Sequence, residues 1–296
     1  MSHSPVILDI DHSVGPLPEQ HVVALGQWQE ALRFGCRLRV IERFRRVLDE
    51  ALPEAYATVM LGSGDFHHLT WPLVERIRAA VPFQVVVLDN HPDNMRFPFG
   101  VHCGSWVRRV AMLPAVSHVH VVGITSTDIG ARHAWENHRR PLREGRLSYW
   151  SVGVDVGWAR RAGLGAAFHA FADADSLVQA FAEARRREPQ PGYLSIDKDV
   201  FAPEVARSNW DQGCFGLPHA LAVIDSLGAG GLVGSDITGE VSLYRYRSWW
   251  KRRLSALDAQ PAVDARALAG WQAQQHALNA RLLAAIGQVT GAPGRR

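Results

Sequence analysis

The chain has 296 residues, 47% hydrophobic and 21% charged, enough to bury a substantial core as one large α/β domain or two smaller ones. Its net charge of +3, from 32 basic against 29 acidic side chains, is too small and dispersed for a nucleic-acid partner, and no apolar run approaches the length of a membrane span. Cys36, Cys103 and Cys214 offer neither a disulfide framework nor zinc-ribbon spacing, and Asp9 and Asp11 leave no room for the apolar core of a signal peptide, so a soluble, cytoplasmic protein is expected.

Val6–Ile10 is the first of several short apolar runs that read as strands. It ends in Asp9-Ile10-Asp11-His12-Ser13, which reads as a capped turn before Gly15-Pro16 or as a wall for a cationic substrate. His21–Leu52 follows as a helical segment broken around Gly35. Ala57–Leu61 is the next strand, Trp71–Ala80 a helix, Val85–Leu88 a strand and Gly104–Met112 a helix. His118–Ile124 and Leu147–Val152 are strands flanking an irregular segment, Thr125–Arg146, placed over the sheet edge. Helix Asp175–Arg187, strand Tyr193–Ile196, helix Pro218–Leu227, strand Gly231–Gly234 and helix Ala265–Ile286 complete the series, and Gly291–Arg296 reads as a loose end. The strand runs show little polar alternation, as expected of strands covered on both faces. Alternating with helices, they predict a three-layer, doubly wound, mostly parallel sheet. No internal repeat or long linker divides the chain, so 1–296 reads as a single domain. Tyr244–Arg253 mixes aromatics and bases and reads as amphipathic helix packing with snorkelling bases, or as a contact for an anion or a neighbouring subunit.

In a doubly wound sheet, ligands bind beyond the carboxyl ends of the strands. Three strand ends there carry acids and histidines: Gly62-Ser63-Gly64-Asp65-Phe66-His67-His68, Asp89-Asn90-His91-Pro92-Asp93 and Asp197-Lys198-Asp199. Alternate side chains of an extended segment share a face, so Asp89, His91 and Asp93 converge, as do Asp197 and Asp199. Each piece alone also reads as a turn or a cap. Together, four carboxylates in one small volume repel unless cations balance them, and two divalent ions supply the matching charge. His91 and one of His67 and His68 complete the nitrogen ligands, and such a pair of ions acidifies a shared water.

These motifs resemble those of the arginase/agmatinase (ureohydrolase) family, whose fold the deacetylase-like enzymes share. The family carries Gly-Gly-Asp-His, Asp-Ala-His-x-Asp and Ser-x-Asp-x-Asp in this order, similar to Gly62–His67, Asp89–Asp93 and Ser195–Asp199. The resemblance spans about Leu61 to Ser242. It implies two Mn2+ ions: one held by His67, Asp89, Asp93 and Asp197, the other by Asp89, His91, Asp197 and Asp199, with Asp89 and Asp197 bridging. It further implies His102, in Gly100-Val101-His102-Cys103-Gly104, as a proton-moving acid/base beside Asp199. Asp236-Ile237-Thr238-Gly239-Glu240 resembles the family's Asp-Ile-x-Glu, implying Asp236 and Glu240 as substrate contacts.

The departures fall mainly on the substrate side. Phe66 stands between Asp65 and His67, with His68 as the alternative ligand. Gly239 occupies the family's Glu position, Ala202-Pro203 replaces Asp-Pro, and Asn90 replaces a small residue. The expected reaction is hydrolysis of a linear C–N bond in a guanidino, amidino or amide compound, with a small cationic substrate and a homo-oligomer compatible with the sequence. The alternatives are a deacetylase-like amidohydrolase on the same fold, or a metal-binding protein without activity.

Overall fold

Within the strand Phe83–Leu88, Val85 and Val87 enter one apolar core while Val86 and Leu88 enter another. Successive side chains of a strand point to opposite faces, so a run buried throughout marks a sheet sandwiched between two layers. The computed structural model describes residues 4–53, 56–257 and 263–290, and the loose end expected at Gly291–Arg296 lies outside them.

The strands are β1 (Val6–Asp9), β2 (His21–Ala24), β3 (Gly35–Cys36), β4 (Thr58–Gly62), β5 (Phe83–Leu88), β6 (Val101–His102), β7 (Val116–Ile124), β8 (Leu147–Val152), β9 (Phe168–Phe171), β10 (Gly192–Asp197) and β11 (Leu232–Thr238). Nine form one sheet in the order β2-β1-β4-β11-β10-β5-β7-β8-β9, every neighbouring pair parallel, and β3 pairs antiparallel with β6 apart from it. The three-layer α/β architecture expected from the sequence is the one observed.

One layer contains the helices Leu38–Ala51, Thr70–Arg76 and Val107–Ala111. Ile41, Phe44 and Leu48 of the first share one helical face and pack into the core with Leu73 and Val110. The opposite layer contains Ala174–Arg187, Leu217–Ser226 and Leu268–Thr290, which bury Phe181, Val223, Leu282 and Ile286 against the other face. Asp173 caps the first of these by accepting from Ser176 N–H at 2.8 Å. No helix among the described residues is long and apolar enough to cross a membrane.

Two edges depart from the sequence reading. The stretch expected to begin one broken helix instead forms the edge strand β2, a short helix Gln29–Leu32 and β3 before the long helix starts at Leu38. Phe168–Phe171, unassigned from sequence, is the opposite edge strand. Both are four residues long, too short for periodicity to register. Tyr244–Arg253 packs against the chain, its helix running Trp249–Leu257, and Lys251 is buried rather than snorkelling. Tyr244 donates to Glu30, and the Lys251 ammonium donates to the Glu30, Ala31 and Arg33 carbonyls.

Candidate metal centre

The sheet order brings the expected ligands together. β10 lies between β5 and β11, with Ile196 opposite Leu88 and Asp197 opposite Thr238. Asp89 therefore follows β5 at the level where Asp197 ends β10. β4 pairs on the far side of β11, and the turn Gly64–Leu69 folds back from its end over the same point.

His67 Nδ1 stands 2.9 Å from Asp93 Oδ2, 3.1 Å from Asp89 Oδ2 and 3.4 Å from Asp197 Oδ2. His91 Nδ1 stands 3.0 Å from Asp199 Oδ2 and 3.6 Å from Asp89 Oδ1. The first histidine's contacts have ion-pair distances without hydrogen-bond angles, so His67 Nδ1 and Asp89 Oδ2 are buried with no hydrogen-bond partner. Donors sharing one octahedral ion at roughly 2.1 Å stand roughly 3 Å apart, the spacing seen here. Two donor groups result, His67–Asp89–Asp93 and Asp89–His91–Asp199, with Asp89 common to both. The residues fit divalent cations.

Their protonation has the same cause. Burial and neighbouring carboxylates raise Asp93 and Asp199 to about 7 and Asp197 well above the usual range. Burial opposes the charge of His67 and His91, but the facing carboxylates outweigh it and hold both well above ordinary histidine values. Asp89, against both imidazoles, is held low despite its burial. Without cations, protons take the place of positive charge.

Outer groups fix the donors. Ser195 and Asp236 are cross-strand partners, and the Ser195 hydroxyl donates to Asp236 Oδ1 at 2.7 Å. Its oxygen therefore accepts from His67 Nε2 at 3.0 Å, so Nδ1 faces the carboxylates and offers them a proton that a cation would displace. Trp106 Nε1 donates to Asp93 Oδ2 at 2.6 Å, and Asp93 adopts a left-handed φ of +45° that brings its side chain back toward His67. Asn90 N–H donates to Asp199 Oδ1 at 3.1 Å.

Of the two adjacent histidines, His67 faces the carboxylates. His68 is wholly buried away from them, and burial together with Lys251 and His102 pushes it well below the ordinary value. Phe66, the inserted residue, is buried in the core beneath the Arg33 guanidinium.

Two expected substrate contacts are corrected. Asp236 lies beneath the floor, taking hydrogen bonds from Tyr193, Ser195 and Thr70, and does not line the cavity. Glu240 also faces away: it forms a buried ion pair with Lys198 Nζ at 2.5 Å and accepts from Asn279 Nδ2 at 2.6 Å. Gly239 explains the displacement. At φ +91° a Cβ there would meet Asp197 Oδ1 and the Lys198 nitrogen, each at 2.5 Å, so the family's Glu cannot occupy this position. Asp9 and Asp11 form the turn reading rather than a pocket wall: Asp9 binds His12, and Asp11 binds Ser13 and the buried Arg33.

The cluster is the floor of a cavity of about 670 Å³ that also includes His102. His102 Nδ1 accepts Gly104 N–H at 3.0 Å, its ring stacks on Phe34 at 5.8 Å, and burial pushes it down to about 4. The imidazole is thus neutral, with its proton on Nε2. Sequence reasoning missed Phe34, Trp210 and Asp211, because they come from loops with no motif around them, and Asp128 and Glu136, which lie within the segment read as irregular.

Fold and site together define a three-layer α/β protein with a buried candidate metal-ligand cluster at the carboxyl end of its sheet. Residues 6–243 match the Arginase family, and the chain belongs to that family. A Thermotoga maritima relative, described only as an uncharacterized protein, is 26% identical over 228 residues, 76% of each chain. The proclavaminate amidino hydrolase of Streptomyces clavuligerus superimposes with a TM-score of 0.57 at 17% identity, over 97% of this chain and 93% of that one. The Trypanosoma cruzi formiminoglutamase with Mn2+ gives 0.54 at 12% identity over 98% and 94%, and the Bacillus cereus arginase gives 0.52 at 14% over 99% of each.

Proposed function

We propose that this protein is a hydrolase with two divalent cations, most readily Mn2+, that cleaves a linear C–N bond in a small cationic guanidino, amidino or related amide compound. The observation that carries the reading is Asp89, shared between two histidine–carboxylate groups on the floor of one cavity. His67, Asp93, His91 and Asp199 would complete the two sets, with Asp197 between them. Bound there, the cations would acidify a shared water and polarise the group it attacks.

The remaining steps belong to the protein's own residues. The lining carboxylates beyond the candidate ligands, Asp128, Glu136 and Asp211, draw a cationic substrate into the cavity, where its planar carbon meets the attacking water. Attack adds oxygen to that carbon, and Asp199 takes the proton released and passes it to the leaving nitrogen as the C–N bond breaks. His102 donates from Nε2 to the reacting group, because Nδ1 is engaged by Gly104. Asp211, hydrogen-bonded to His91 Nε2 at 2.8 Å, holds that ring in the tautomer a cation needs.

Metal analysis of the purified protein, followed by a screen of guanidino, amidino and amide compounds for urea, ammonia or amine release with Mn2+ added, tests this reading. Two metals per chain and Mn-dependent release are expected, both lost in Asp197→Ala. One metal per chain would favour a deacetylase-like enzyme, and inability to bind any Mn, Fe, Ni or Zn would overturn the proposal.

A further inference from the structure

A second cavity, of about 560 Å³, lies beside the first, and only Met95 and Phe97 line both. Its wall contains Arg96, Arg108, Arg109 and His138, and among the described residues it includes no aspartate or glutamate. Arginines elsewhere in the chain are paired: Arg33 with Asp11 and Asp65, Arg45 with Glu42 and Glu75, Arg187 with Glu183. Among the described residues the three in this wall have no carboxylate partner, and Arg109 donates to the Gly100 carbonyl at 3.2 Å.

The like charges act on one another. Burial, and then the charges of Arg108 and Arg45, hold Arg109 below the ordinary arginine value. Burial, and then Arg108, Arg96 and Arg109, push His138 down to about 4, so its imidazole is neutral near pH 7. The backbones that present these groups are fixed. Arg96 N–H donates to the Glu136 carbonyl at 2.7 Å and His138 N–H to the Asn94 carbonyl at 3.0 Å, on either side of the antiparallel bridge between Met95 and Asn137. Arg108 and Arg109 belong to the helix Val107–Ala111, whose first N–H donates to the Asp93 carbonyl at 2.9 Å. The chain cannot part to separate the charges, and a bound anion would relieve their repulsion.

We propose that this second cavity is a binding site for a phosphate monoester. Arg96, Arg108 and Arg109 receive the phosphate dianion, the neutral His138 adds a hydrogen bond, and the ester's carbon body lies against Met95, Phe97 and Pro98. Three guanidinium forks match the charge and the several acceptor oxygens of a phosphate better than those of a single carboxylate. A cavity of this size is in the range of sites for small organic molecules, and a bare phosphate would leave most of it empty. No candidate metal ligand lines it, so the site stands apart from the hydrolase reading.

The test uses the full chain treated with chelator, so that phosphate has no metal to bind, in calorimetry and thermal melts. The probes are a short alkyl phosphate, inorganic phosphate and an alkyl carboxylate of the same length. The alkyl phosphate should bind, with inorganic phosphate weaker by about ten-fold for want of the apolar contact and the carboxylate weaker by about 100-fold. Arg96→Gln and Arg108→Gln should each lower the alkyl phosphate affinity by about ten-fold or more. Neither should lower the melting temperature of the unliganded protein, because each removes a repelling charge; a merely structural arginine would lower it. Arg108→Lys keeps the charge without the fork and should recover only part of the affinity. Arg186→Gln, on the helix Ala174–Arg187, should bind as the parent does. Inorganic phosphate binding as tightly as the ester would overturn the ester and make free phosphate the occupant. No binding of either phosphate, carboxylate binding of equal strength, or affinity unmoved in both Arg96→Gln and Arg108→Gln overturns the site.

Discussion

His91 is gripped from behind by Asp211: Nε2 lies 2.8 Å from Asp211 Oδ1, while Nδ1 faces Asp199 Oδ2 at 3.0 Å. An ionised carboxylate only accepts, so Nε2 keeps its proton against Asp211, and a cation displacing the Nδ1 proton would find that lone pair pointing into the donor group. Asp211 also accepts from Asn90 Nδ2 through its backbone carbonyl and its Oδ2, joining both residues of the ligand turn to one loop. Such outer carboxylates typically contribute 10- to 100-fold to metal affinity. Asp211→Asn should therefore weaken Mn2+ binding by about ten-fold or more in a competition titration with a chelator. Because 68% of this side chain is exposed, thermal stability of the cation-free protein should stay unchanged; a normal metal affinity would remove Asp211 from the site.

The candidate ligand cluster was legible because extended segments force alternate residues to one side. Asp89-x-His91-x-Asp93 and Asp197-x-Asp199 needed only the identification of β5 and β10 as strands, and their adjacency in the sheet supplied the rest. Glu240 was not legible, because its direction depends on the backbone of Gly239 and on a partner, Asn279, on a helix about forty residues downstream. Asp236 misled for a similar reason. A residue within a parallel strand faces a layer, and only the cross-strand register shows that its partner is Ser195. Asp211, Trp210 and Phe34 lie in loops whose course follows from tertiary contacts, so no periodicity marked them. The irregular reading of Thr125–Arg146 was near the structure, which has there only a short turn and the four-residue helix Arg140–Arg143. Its closeness to the candidate ligands depends on Asn90.

Stability of the cation-free protein should fall as pH rises. Burial and the charge of Asp89 lift Asp93 and Asp199 to about 7 in the folded chain, and His67 and His91 lie well above their ordinary value. Each folded value exceeds its unfolded one, so protonation favours the fold. The carboxyl contribution is complete below about 4, and it is lost as pH climbs through 7; the histidine contribution begins to fade above about 6.5. Asp89 runs the other way, but its effect is confined to pH below about 4. Divalent cations need the same carboxylates ionised, which reverses the slope. Thermal melts between pH 5.5 and 8 should show the chelator-treated protein losing about 5 °C or more and the manganese-treated protein gaining, with the gap widest at pH 8. Parallel curves with and without cations would separate these groups from the binding site.

Lys198 and Glu240 form an ion pair with almost no solvent contact, and Asn279 Oδ1 accepts from Lys198 at 3.0 Å while its Nδ2 donates to Glu240. Lys198 lies between the candidate ligands Asp197 and Asp199, and Asn279 ties the pair to the helix Leu268–Thr290. Removing one partner strands the other charge in the core, at a cost of about 3–5 kcal/mol. Glu240→Ala and Lys198→Ala should each destabilise by that amount in urea unfolding, whereas Lys198→Met combined with Glu240→Leu should cost far less than their sum. Metal content of the folded fraction of Glu240→Gln should remain near that of the parent chain, because the residue does not reach the cavity. Lost metal at preserved stability would place Glu240 in the site after all.

Gly239 makes the sharpest steric prediction. Its φ of +91° suits glycine alone, and an added Cβ would sit 2.5 Å from Asp197 Oδ1 and from the backbone nitrogen of Lys198. Neither obstacle can move cheaply: the nitrogen belongs to the backbone turn that closes β10, and the oxygen accepts from Asp199 N–H at 3.1 Å. Gly239→Ala should therefore cost about 2 kcal/mol or more, from backbone strain and from displacement of Asp197. Gly239→Glu, which restores the family residue at its usual position, should cost at least as much and should not raise activity on any guanidino compound. Thermal melts with and without Mn2+ separate the two components, since strain lowers both curves equally while a displaced Asp197 also shrinks the gain from metal. An unchanged gain in Gly239→Ala would mean that Asp197 tolerates the shift, and the loss of the family's Glu from this position would then need another cause than the crowding at Asp197.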